Sequence, residues 1–111
     1  MKSIVVANWK MNPPSWREAK KLFDATRKAA EAAPSASLIV APPTVYLRDL
    51  AQGYKGRRIQ FAAQHAHAEQ GGAHTGETSI AQAKDTKAKF VLVGHAERRA
   101  LGETNVDTRQ K

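Results

Sequence analysis

Cysteine is absent from the 111-residue chain, which excludes disulfides and cysteine-ligated zinc. Long apolar runs are absent too. The longest, such as residues 90–93 (FVLV), fall far short of the ~20 residues that a membrane helix needs, so no membrane partner is expected. The opening stretch MKSIVVA has no adequate apolar core before Asn8 and Lys10 interrupt it, which argues against a signal peptide and for a cytoplasmic location. Acidic residues are scarce, 10 against 18 Lys and Arg, and the net charge of +8 favours anionic partners. Solvated helix faces account for much of that charge, because Lys20, Lys21, Arg27 and Lys28 fall in a helical pattern. The basic pieces KGRR (55–58) and Arg98-Arg99 lack interleaved aromatics or a recognisable motif, so nucleic acid is not an expected partner. With no linker and no low-complexity tract, residues 1–111 read as one domain.

What is present is an alternation. Residues 4–7 (IVVA), 38–41 (LIVA), 59–63 (IQFAA) and 90–93 (FVLV) are short apolar runs that suit buried strands. Ser15 and Glu18 form a capping-box pattern that opens a helix to about Ala33, with Trp16, Ala19, Leu22, Phe23, Ala29, Ala30 and Ala33 on one stripe. Residues 45–52 suit a short helix stopped by Gly53. A long polar loop spans residues 64–77, and Ser79 with Gln82 caps a weak third helix whose apolar face is little more than Ile80 and Ala83. The sequence stops inside what reads as a fourth helix. Four βα units of this kind imply a parallel α/β sheet.

Chemistry in such sheets gathers where strands end and helices begin. The four strand ends here offer Asn8 and Lys10, then Pro42-Pro43, then Gln64-His65, then His95 and Glu97. Lys10 is placed to hold a phosphate, although a lone lysine there is more often simply solvated. His95 opens a helix, where backbone N–H groups disfavour imidazolium, so a neutral ring would be available to polarise a carbonyl. Taken alone, it is more often a structural histidine. Glu97 either pairs with Lys10 or is a first-turn carboxylate. His65, His67 and His74 fit no zinc spacing, so no metal is expected, and Gly71, Gly72 and Gly76 do not make the strand-following G-x-G-x-x-G of a dinucleotide site.

Read together, the segments ANWKMN (7–12), APP (41–43) with Tyr46-Leu47, GAHTGE (72–77), VGHAERR (93–99) and GET (102–104) closely resemble the triosephosphate isomerase family, in its order and spacing. The resemblance implies half of a TIM (β/α)8 barrel. It also implies the glycolytic and gluconeogenic interconversion of dihydroxyacetone phosphate and glyceraldehyde 3-phosphate by proton transfer, without metal or cofactor. On that basis Asn8 and Lys10 would bind substrate, His95 would be the electrophile on the carbonyl, and Glu97 would support Lys10. A neutral histidine at a helix N-terminus is a known feature of this family. Thr75 would reach a second subunit near its Asn8 and Lys10, and Glu77 would pair there with Arg98.

The sequence also departs from the family. A whole barrel needs roughly 250 residues and eight βα units, and only the first four are matched here. No residue corresponds to the family's general base. Ala96 stands where serine is usual, and one residue is missing between Leu101 and Gly102. Ala83, Thr86 and Lys87 replace a large apolar residue, another, and a glycine, so Lys87 should occupy a position that wants positive φ. The chain alone is therefore expected to lack isomerase activity. With strands 1 and 4 as open edges, it should associate with itself or with a complementary C-terminal half.

Overall fold

The computed structural model describes residues 3–69 and 71–93. Strands β1 (Ser3–Asn8), β2 (Ala36–Ala41), β3 (Ile59–Ala63) and β4 (Phe90–Val91) alternate with helices α1 (Trp16–Glu31), α2 (Thr44–Gly53) and α3 (Ile80–Asp85). The strands lie in the order β1-β2-β3-β4, and every pairing is parallel. They form the curled sheet of half a TIM barrel. The fourth helix expected from the sequence lies outside the described residues.

Period-two alternation assigns the two faces of the sheet. Val40, Ile59, Phe61 and Ala63 are buried against Ala19 and Phe23 of α1 and Leu47, Leu50 and Ala51 of α2. An aromatic cluster forms the centre of this layer. The Phe23 and Phe61 rings stack at 5.5 Å, and Tyr54 meets both edge-on at 5.7 and 6.2 Å. Burial of Phe23 alone contributes roughly 1.5–3 kcal/mol. The apolar stripe of α1 is narrower than the sequence suggests. Only Ala19 and Phe23 are buried in that helix, while Trp16 and Leu22 each remain 41% exposed. The helix also ends at Glu31, short of Ala33.

Capping follows the expected positions with one change of partner. Ser79 and Gln82 complete a reciprocal capping box. At α1 the Ser15 Oγ accepts from the Glu18 N–H at 3.2 Å, but the Glu18 carboxylate accepts from the Ser15 hydroxyl at 3.0 Å. The box is therefore half made there. At the other end of α3, Lys87 has φ 79°, the left-handed conformation anticipated from its place after the helix.

The opposite face of the sheet is open. Ile4, Val6 and Phe90 are 71%, 49% and 42% exposed. Among the described residues β1 pairs only with β2, and β4 only with β3. Strand β1, read from its composition as buried, is thus largely solvent-facing: it has the right residues but only one neighbouring strand. Leaving three such side chains partly in water forfeits part of the roughly 1.5–3 kcal/mol that full burial of each contributes.

Backbone strain and capping at α3 give a paired expectation. Lys87→Gly should raise the stability of the chain by about 1 kcal/mol by removing the Cβ from a left-handed residue. Ser79→Ala should lower it by about 1 kcal/mol through the lost cap. Urea midpoints of the two variants against the parent chain check both signs.

Candidate functional site

The parallel register sets the ends of β1 and β2 level, with Asn8 beside Ala41. Just past this rim the chain turns sharply. Lys10 adopts φ 56°, a conformation that a residue with a Cβ takes only at a cost. Three tethers hold it. The Lys10 N–H donates to Asn8 Oδ1 at 2.9 Å. The Trp9 N–H donates to the Ala41 carbonyl at 3.0 Å. Gln64, the first residue after β3, donates its Nε2 to the Lys10 carbonyl at 2.7 Å and to the Ala41 carbonyl at 3.0 Å. The indole of Trp9 is buried beneath this turn, and Asn12 Nδ2 donates to the Trp9 carbonyl at 3.4 Å. A side-chain amide from the third strand end thus fixes the backbone of the first.

Asn8 and Lys10 are both exposed at this rim, so a ligand over the ends of β1–β3 would meet an amide and an ammonium. The tethers fix the backbone from which Lys10 projects at this rim, and its ammonium suits recognition of an anionic oxygen there. Gln64 belongs to the same constellation as the residue that holds the turn. The sequence signal for it was a polar amide at a strand end, but nothing in the chain order says that it reaches back to Lys10.

His95, Glu97 and Arg98 lie outside the described residues, as do Ala96 and Gly102. Their roles therefore stay as the resemblance implies.

The loop between β3 and α3 is organised at its base. The His67 N–H donates to the Thr78 carbonyl at 2.7 Å, and His67 forms a parallel bridge with Ser79. The His67 and His74 rings stack at 4.2 Å, and Gly72 and Gly76 take positive φ of 109° and 84°. Glu77 places Oε2 2.7 Å from Nε2 of His65, so His65 shares the carboxylate that the resemblance assigns to Arg98. Thr75 is exposed on this loop. No group of three metal-ligating side chains occurs among the described residues. Nor, among them, is any helix long and apolar enough to cross a membrane.

The comparisons with known proteins agree with this geometry. The triosephosphate isomerase family model matches residues 3–111. A triosephosphate isomerase of Coprinopsis cinerea is 43% identical over 98 residues, covering 88% of this chain and 38% of that protein. One from Nitrosococcus oceani is 42% identical, covering 92% and 41%. One from Clostridium novyi is 35% identical, covering 99% and 44%. The chain therefore spans about two fifths of the length of these curated relatives. With the motif segments, the parallel half-barrel and the tethered Lys10 turn all in place, the chain belongs to the triosephosphate isomerase family.

Proposed function

We propose that this chain carries the carbonyl-facing half of a triose-phosphate isomerisation site, without the glycine-rich phosphate site of the family's last two units. The observation that supports this most is the Lys10 turn, left-handed and tied to Asn8, Ala41 and Gln64 at the C-terminal rim. In the proposed reaction a base removes a proton from the carbon beside the carbonyl of dihydroxyacetone phosphate. The C–H electron pair forms the C=C bond while the carbonyl π pair moves onto its oxygen, which takes up a proton to give an enediol. The hydroxyl on the carbon that lost its hydrogen then gives up its own proton as its C=O forms. The abstracted proton is delivered to the former carbonyl carbon to give glyceraldehyde 3-phosphate. Negative charge grows on the carbonyl oxygen during the first step. Lys10 supplies a fixed positive charge for it, and His95 donates a hydrogen bond to it, a form of stabilisation that is strongest where water is excluded. Asn8 orients the substrate and Glu97 supports Lys10. No metal or cofactor takes part.

A general base must lie within hydrogen-bond reach of the proton it removes. No residue of this chain corresponds to the family's base, so that group would come from the C-terminal half of such an enzyme. The purified chain is expected to show no isomerase turnover above background, and to gain it when that half is supplied in trans. Protein-dependent turnover by this chain alone, persisting after removal of host enzyme, would refute this. In the complemented enzyme Lys10→Met should weaken triose phosphate binding about tenfold or more, the value of one charge-assisted contact. Gln64→Leu should weaken it less, and should also cost about 1 kcal/mol in stability by taking a donor from the Lys10 and Ala41 carbonyls.

A second reading rests on the open face. Ile4, Val6 and Phe90 are exposed, and two parallel strand edges lack partners among the described residues. A homodimer in which β4 of each copy pairs with β1 of the other would consume both edges in an eight-stranded barrel. That assembly would be a scaffold without catalysis. Light scattering after size exclusion, with circular dichroism on the same peak, separates the readings. A well-structured dimer supports the scaffold, and a compact monomer at working concentration counts against it.

A further inference from the structure

The N-terminal rim of the sheet, opposite the Lys10 turn, holds a second concentration of cations. Arg57 precedes β3, while Lys87 and Lys89 precede β4. These three side chains line one cavity of about 370 Å³, together with Tyr54 and Gln60. No acidic side chain lines it among the described residues, and none of the three cations is in an ion pair there. All three are exposed, so water screens their mutual repulsion, and an anion seated among them would meet three positive charges at once.

Two further features show that the cavity is built, and is more than a stretch of charged surface. First, the segment presenting Arg57 is pinned. The Tyr54 hydroxyl accepts from the Arg58 N–H at 3.1 Å and from the Ile59 N–H at 3.3 Å. That phenol lies so close over Gly56 that a Cβ there would collide with its oxygen. Second, Lys87 holds a left-handed backbone, φ 79°, where glycine would sit without strain and where the family tends to have glycine. A lysine kept at a strained position, lining a cavity with two other cations, points to a role for its charge. The Lys89 N–H donates to the Phe61 carbonyl at 3.0 Å, which anchors the third cation to β3.

We propose that this cavity is a binding site for a small oligophosphate anion, separate from the Lys10 turn. The three cations match a compact ligand with several negative charges, and Tyr54 and Gln60 offer polar groups beside them. The volume admits a diphosphate-sized group and is too small to track a nucleic-acid backbone.

The test is calorimetric titration of the full 111-residue chain with pyrophosphate at low salt, with sulfate as the comparison anion. Saturable one-to-one binding, tighter for pyrophosphate than for sulfate, is expected. Lys87→Gly should weaken it about tenfold or more, even though the same change relaxes the backbone and stabilises the chain, so loss of fold cannot explain the loss of binding. Lys20→Gln and Lys21→Gln on α1 should leave binding unchanged. The proposal is overturned by non-saturating heats, by a Lys87→Gly chain that binds like the parent, or by equal losses in the Lys20 and Lys21 variants. It is also overturned if a single-stranded oligonucleotide binds more tightly than pyrophosphate and is weakened as much by Lys21→Gln as by Lys87→Gly, since that would mark diffuse charge attraction.

Discussion

The Ala41 carbonyl is the point on which the C-terminal rim depends. It accepts from the Trp9 N–H and from the Gln64 amide, each at 3.0 Å. Through these bonds three strand ends are joined at one oxygen. Parallel pairing makes this possible, because the β1–β2 register stops Asn8 level with Ala41. The left-handed Lys10 then has nowhere to relax: its N–H is held by Asn8 and its carbonyl by Gln64. Strain of this kind, roughly 1–3 kcal/mol, persists only where the surroundings over-determine the backbone. Here they consist of one short strand register and two side-chain amides, those of Asn8 and Gln64.

The legible parts of this fold were those governed by local chemistry. Residues 59–63 are a β-rich run flanked by KGRR and a polar amide, so β3 is readable to the residue. Ser79 and Gln82 form the capping box that their spacing specifies. Lys87 was readable as a left-handed residue because it stands where the resembled family tends to have glycine after the helix. What was not legible depends on partners distant in sequence. Gln64 acts on Lys10 across 54 positions, and no periodicity encodes that. Ser15 and Glu18 have the capping-box spacing, yet the Glu18 carboxylate takes the serine hydroxyl instead of the backbone N–H, a choice between two nearby donors that the spacing leaves open. The catalytic expectations for His95 and Glu97 came from family resemblance, since a single histidine or glutamate after a strand has several ordinary explanations.

The exposure of β1 shows the limit of composition as a guide to burial. IVVA is as apolar as the β2 run LIVA, yet Ile4 is 71% exposed while Val40 is fully buried. The difference lies in neighbours. Val40 has β1 on one side, β3 on the other and helices above it, whereas Ile4 is on an edge strand. An apolar run specifies that a strand will be buried by something, and says nothing about whether the burying surface belongs to the same four units. Among the described residues the half-barrel is therefore one packed layer, sheet against helices, with a second apolar face left open.

Both non-glycine residues with positive φ among the described ones are lysines, one at each rim of the sheet. They reach that conformation by different means. At Lys10 the tethers are long-range, so the conformation depends on the sheet being assembled. At Lys87 the cause is local: the Thr86 and Lys87 N–H groups donate back to Ala83 and Lys84 as α3 ends. A glycine at either place would relieve the strain, so the conformation alone does not explain the side chain. What the two positions share is a cation presented from backbone that cannot easily move.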